Sequence, residues 1–320
     1  MSVFLERAGW ANARHEPLAG DASARRYSRL TQAGQSAILM MDPEGDVTLF
    51  ARLARYLGSI GLSAPQILAE DPDQGLLLIE DLGDGLIARL AQDPAAERDL
   101  YLLAVDALVE LHRHAPPERL PVATPDRLAQ MIDLAFVHYT QAPKAREQAV
   151  AAFLPVLREH ASATEVMVLR DYHAENILFL PDRLGAARAG LLDFQDALLG
   201  HRAYDLVSLI EDARRDVSPH VAEACIDRYL GATGLPDPGF RAALAVLGAQ
   251  RNLRILGVFA RLAATRGKPH YIDLIPRVWG HLQSDLAHPA LTEVRPILDA
   301  ALPAPSPSHL ERLKSACPTP

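Results

Sequence analysis

The chain is 320 residues long, 49% hydrophobic and carries a formal net charge of −8 at pH 7, so it can bury a sizeable core in about two domains and is too acidic for a nucleic-acid surface. Its longest apolar runs, such as residues 242–249, fall short of the ~20 residues a membrane helix needs, and Glu6 and Arg7 interrupt any leader-like start. The two cysteines, Cys225 and Cys317, have neither disulfide nor zinc spacing, which points to a soluble cytoplasmic protein.

In chain order, short strands are predicted at 17–20, 25–31, 36–41, 64–69 and 75–80, separated by the turn signals Asp42-Pro43-Glu44-Gly45 and Asp71-Pro72-Asp73-Gln74-Gly75. Between those turns Asp46 can cap a helix running to about Gly61, with Val47, Leu49, Phe50, Leu53 and Leu57 along one face. This is a mostly antiparallel sheet with one helix. From about residue 85 the pattern turns helical, with candidate helices at 97–114, 124–140, 144–160, 203–215, 219–233, 238–265 and 270–286. The later strands are 165–169, 176–180 and 188–193, read as a short hairpin carrying a polar loop. The fold class is therefore α+β, with a small N-terminal lobe over 1–82, a larger helical lobe over 83–303, and a Pro/Ser-rich, loosely attached tail over 304–320.

The segment 167–180 places Arg170, Asp171, His173, Glu175 and Asn176 between two apolar runs. A structural turn would use Gly, Pro or Asn-Gly there, because those residues reverse the chain cheaply. Asp171 and Asn176 lie five residues apart, and Asp193 follows at the end of the next strand. A carboxylate, an amide and a second carboxylate in this order suit phosphoryl transfer: Asp171 orients or deprotonates an acceptor hydroxyl, while Asn176 and Asp193 offer hard oxygen ligands to magnesium on a triphosphate.

These words resemble the aminoglycoside phosphotransferase and choline kinase-like family of small-molecule kinases, relatives of protein kinases. Its segment His-Gly-Asp-Leu-His-Pro-x-Asn is similar to "LRDYHAEN", matching Asp171, His173 and Asn176, and its Ile-Asp-Phe resembles "LLDFQDA" at Asp193. Its later Tyr-Asp-Leu is similar to "AYDLVSL", where Asp205 would brace the catalytic loop. A narrower likeness, carried by "LAGDASARRYSRL", "RDYHAENILFLP" and "QRNLRILGVFARLA", is to the bacterial cell-wall-recycling kinases that phosphorylate the anomeric hydroxyl of N-acetylmuramate and N-acetylglucosamine. The resemblance implies a two-lobed protein-kinase-like fold, ATP and magnesium. It also implies a catalytic set of Asp171, His173 and Asn176, a phosphate-covering loop with Gly20 and Ser23, and adenine held near Glu80 and the backbone after it.

Two departures matter. Leu169 stands where the family has histidine, and neither a strand-three lysine nor its partner glutamate is visible. Only Lys144, Lys268 and Lys314 are lysines, so a phosphate-neutralising cation in the N-terminal lobe has to be arginine. Arg25 and Arg26 flank the loop, and strand alternation sends at most one inward; Arg25 is the better placed. Arg251 and Arg254 share a face of a long helix, where either meets an acidic substituent of the acceptor or pairs with Glu175, Asp196 or Glu211. The expected function is an ATP-dependent kinase of an N-acetylated amino sugar at its anomeric hydroxyl. The alternatives are a kinase of another hydroxylated metabolite, of aminoglycoside, choline or homoserine type, and a nucleotide-binding pseudokinase.

Overall fold

The structure, a computed structural model, describes residues 1–18, 25–140 and 142–317. Its strands are β1 (Arg14–Leu18), β2 (Arg26–Gln32), β3 (Gln35–Met41), β4 (Ile67–Asp71) and β5 (Leu76–Glu80), followed by four three-residue strands, β6 (Val166–Val168), β7 (Ile177–Phe179), β8 (Ala189–Leu191) and β9 (Leu198–Gly200). The chain separates into two compact units, one of Met1–Glu118 with Ala174–Ala197 and one of Arg119–His173 with Leu198–Pro320. Packing therefore groups residues 83–118 and 174–197 with the N-terminal strands, whereas the change of sequence pattern suggests a line at residue 82.

The first unit is built on an antiparallel sheet in the order β1-β2-β3-β5-β4. Alternation along β3 and β5 buries both faces: Ala37, Leu39, Leu76 and Leu78 pack with Leu30 against Phe4 and Leu5, while Ile38, Met40, Leu77 and Ile79 are buried on the opposite side. Phe4 and Leu5 belong to a helix, Ser2–Arg7, that the sequence reading does not include. The helix Val47–Ser59 begins where expected. The Asp46 carboxylate accepts from the amides of Thr48 at 2.9 Å and Leu49 at 3.1 Å, satisfying two donors that the first helical turn leaves open.

The expected hairpin over 167–180 does not form. β6 pairs with β9 in one unit, and β7 pairs with β8 in the other. The reason is local. The amides of Leu169 and Arg170, just past β6, are taken by a side chain, so pairing cannot continue into the loop. The β7–β8 hairpin is tied to its own unit by Arg183, which donates to Ser63 Oγ at 2.5 Å and to Glu80 Oε1 at 2.6 Å.

The second unit packs around a 30-residue helix, Asp237–Arg266, which contacts the helices Ala203–Ile210, Pro143–His160 and Ile275–Asp285. Residues 304–320, expected to be loosely attached, include a packed helix, Pro307–Ser315. Its i,i+4 pair His309 and Leu313 is buried, Lys314 pairs with Asp273 at 2.6 Å, and Tyr139 Oη donates to the Pro303 carbonyl at 2.7 Å. An amphipathic turn capped by Ser306 is enough to dock the segment despite its proline content.

Candidate active site

In the second unit the site is organised by Asp205, whose side chain is fully buried on the helix Ala203–Ile210. Its two carboxylate oxygens accept from the amides of Leu169 at 2.6 Å and Arg170 at 2.8 Å, and Ser208 Oγ donates to the Arg170 carbonyl at 2.9 Å. These bonds hold Arg170 at φ +71°, a left-handed conformation that costs a non-glycine residue about 1–3 kcal/mol. Asp171 follows directly, half-buried, with its amide donating to the Leu169 carbonyl at 3.0 Å. Burial pushes the Asp205 acid up to about 7 even though both amides favour its ionised form.

His173 is buried, and burial together with Arg214 and Arg251 drives it well below the ordinary imidazole range. It is therefore neutral. Its Nε2 lies 3.2 Å from Arg214 Nη1, and since a guanidinium only donates, Nε2 is the acceptor and Nδ1 carries the hydrogen. His173 is thereby tied to Arg214 within the same unit.

The first unit carries Asp193 and Asn176. Asp193 sits at φ +55° with its side chain 45% exposed, and Oδ1 accepts from Gln195 Nε2 at 2.6 Å. Asn176 Nδ2 approaches Oδ2 at 3.5 Å. Among the described residues no group of three or more His, Cys, Asp or Glu side chains could hold a metal. The Asp193 carboxylate with the Asn176 side-chain amide beside it is the kind of sparse, hard donor set that suits a cation keeping water and phosphate oxygens in its shell, as magnesium does.

Beside Asp193 stands Arg25. Its Nε donates to Asp42 Oδ2 at 2.9 Å, and its Nη1 lies 3.6 Å from Asp193 Oδ1. Arg26 is exposed. Tyr27 packs its hydroxyl against Arg25, and burial raises its pKa above the usual phenol value. Gly20 and Ser23 lie outside the described residues. The Glu80 carboxylate is engaged by Arg183 and by the Gln66 amide at 3.2 Å, leaving the backbone beyond it. Glu175 and Asp196 are exposed in the first unit.

Arg251 and Arg254, in the second unit, part ways. Arg251 is buried and donates through Nη1 to the Glu211 carbonyl at 3.3 Å. Arg254 is half-buried, feels the Asp171 carboxylate, and has no hydrogen-bond or ion-pair partner among the described residues. Next to Arg251, the Asn252 amide donates to Glu211 Oε2 at 2.7 Å and to Asp285 Oδ2 at 3.0 Å. Asp42, Gln195, Ser208, Arg214 and Asn252 are the parts that sequence reasoning leaves out. Of these only Gln195, two residues past Asp193 in the same word, carries a local signal.

Residues 14–244 match the sequence profile of the family described as "Phosphotransferase enzyme family". The chain is 39% identical to an N-acetylmuramate/N-acetylglucosamine kinase of Caulobacter vibrioides, over 94% of this chain and 96% of that protein. It is 31% identical to a protein of the same name from Pseudomonas aeruginosa, over 90% and 88% respectively. In structure it resembles a choline/ethanolamine kinase family protein from Mesorhizobium loti, with TM-score 0.64 at 16% identity, covering 98% of this chain and 100% of that one. Protein-kinase-like architecture follows from that likeness, with an N-terminal antiparallel sheet and a largely helical remainder.

The Glu211–Asp285 pair yields a pH prediction. Desolvation pushes Glu211 up to about 7 from 4.5, and desolvation plus the neighbouring Glu211 raises Asp285, so the folded pair retains a proton that the unfolded chain has released. Stability from this proton is fully present below pH 4.5 and is lost as pH rises through about 7. Thermal melts across pH 5 to pH 8 should show a falling midpoint, about pH 5 being the more stable end, and Glu211→Gln should flatten the fall. An unchanged slope in the variant would remove the pair as its source.

Proposed function

The chain belongs to the phosphotransferase enzyme family, and we propose that it is an ATP- and magnesium-dependent kinase that phosphorylates the anomeric hydroxyl of N-acetylmuramate and N-acetylglucosamine in cytoplasmic cell-wall recycling. The observation that carries the reading is the Asp205 clamp, which presents Asp171 from a strained turn of its own unit. Binding alone needs no such base. The names of the two relatives support the choice of acceptor.

In this reading Asp171 takes the proton of the anomeric O–H as the oxygen attacks the γ-phosphorus, and the bond from that phosphorus to the β,γ-bridging oxygen breaks to release ADP. Asn176 and Asp193 would hold magnesium, which when bound neutralises charge on the phosphate oxygens. Arg25 meets those oxygens with its guanidinium fork, and the adenine edge is read by backbone after Glu80. The nucleotide side is then 1–82, joined in packing by 83–118 and 174–197, and the acceptor side lies within the rest of 83–303. Of the two helix arginines, Arg251 is occupied by the Glu211 carbonyl, so Arg254 is the one free to meet the lactyl carboxylate of the muramic sugar.

Phosphorylation assays on paired substrates test the acceptor directly. The free hemiacetals should turn over and their 1-O-methyl glycosides should not, because the methyl group occupies the only hydroxyl at that carbon; turnover of a methyl glycoside would reject the anomeric assignment. Replacing Asp171 with Asn should lower turnover by about two to four decades while calorimetry finds nucleotide affinity almost unchanged. Arg254→Met should penalise N-acetylmuramate over N-acetylglucosamine by about one to two decades in kcat/KM. Equal losses on both sugars would make Arg254 structural.

A further inference from the structure

We propose that Asp42 is a positioning residue that aims the Arg25 guanidinium at the nucleotide phosphates, a role that rests on the kinase reading above. A guanidinium has five donors in a rigid fork. Asp42 takes the Nε donor at 2.9 Å, which fixes the plane of the fork and leaves the Nη edge facing Asp193 Oδ1 at 3.6 Å. That edge can grip two oxygens of one anion.

Asp42 itself has little room to move. It is buried at the end of β3, and Pro43 restricts its backbone to extended conformations. Its amide donates to the Gly75 carbonyl at 2.8 Å. Its carboxylate occupies the space that a Cβ at Gly45 would need, and its own carbonyl lies 2.5 Å from where a Cβ at Gly75 would stand. Gly75, at φ +64°, suits glycine on conformational grounds as well. Two glycines thus make a slot for one aspartate.

Sheet stability does not explain that slot. A buried ion pair is commonly matched or surpassed by apolar residues of similar volume. A carboxylate here also repels an incoming polyanion, so it helps binding only by acting through Arg25. This fixes the sign of the test. If Asp42 were a bystander charge, neutralising it would tighten nucleotide binding; as a positioning residue, its neutralisation loosens binding.

The experiment is calorimetry of ATP with magnesium on the full chain, with melting curves for each variant. Asp42→Asn should weaken binding about tenfold or more, and Arg25→Ala by a similar factor. The double variant should be no weaker than Arg25→Ala alone, since Asp42 acts through that side chain. Steady-state assays should show the loss in KM for ATP, with KM for the sugar unchanged. Gly45→Ala, which displaces the carboxylate but keeps its charge, should reproduce the loss if Asp42→Asn folds poorly. Unchanged or tighter binding in Asp42→Asn, or a further loss on adding it to Arg25→Ala, would overturn the proposal and leave the kinase reading intact. Absence of ATP binding by the unaltered chain would defeat both.

Discussion

The polar loop of the second unit depends on one buried carboxylate reaching two consecutive amides. Asp205 satisfies the donors of Leu169 and Arg170 that strand pairing leaves open, and a carboxylate bonded to amides forms shorter, stronger hydrogen bonds than a neutral acceptor would. The left-handed turn at Arg170 persists because Asp205 and Ser208 determine the backbone on both sides of it. Without the clamp, Arg170 would relax toward an ordinary conformation and carry Asp171 with it. The backbone that carries Asp171 is therefore held by the helix Ala203–Ile210, some thirty residues downstream in the chain.

A second layer of buried polarity supports the same region. Asn252 gives one hydrogen to Glu211 and the other to Asp285, so a shared proton removes one of two adjacent buried charges and the amide hydrogen-bonds both carboxyl groups. Gly248 belongs to this arrangement, because a Cβ there would run into the Asp285 carboxylate. Arg251 lies beside the network with its fork toward the Glu211 carbonyl. The long helix Asp237–Arg266 is thus a polar spine as well as an apolar one, which is why its sequence mixes Gln250, Arg251, Asn252 and Arg254 into a run of Leu, Ile and Ala.

The sequence was most legible where a local rule applied. Asp46 before an apolar i,i+3,i+4 face announces a capped helix, and alternation in 36–41 and 75–80 announces paired strands. Asp171, Asn176 and Asp193 stand out because polar residues interrupt apolar strands at a spacing that chemistry needs. Long-range pairing was not legible. No pattern around residue 169 reveals that β6 joins β9 while β7 joins β8, although the likeness of "AYDLVSL" does point to Asp205 as the brace of the loop. Asp42 was hidden inside an Asp-Pro-Glu-Gly turn signal, whose generic explanation is sufficient until Arg25 is seen beside it. The packing of Pro307–Ser315 was obscured by composition, since a proline-rich flank masks two buried side chains one turn apart.

The cation beside Asp193 is an arginine, and that choice changes how the site presents itself to chemical reagents. Lys144, Lys268 and Lys314 all belong to the other unit, so among the described residues of Met1–Glu118 and Ala174–Ala197 no side-chain amine is available for acylation. Acyl-phosphate nucleotide probes, which label kinases by transferring an acyl group to an amine near the phosphates, have no target of that kind in this unit. Within this unit, chemical capture beside Asp193 would call for a reagent selective for guanidinium groups. The charge of Arg25 also persists at any pH the fold survives, because guanidinium does not lose its proton in proteins.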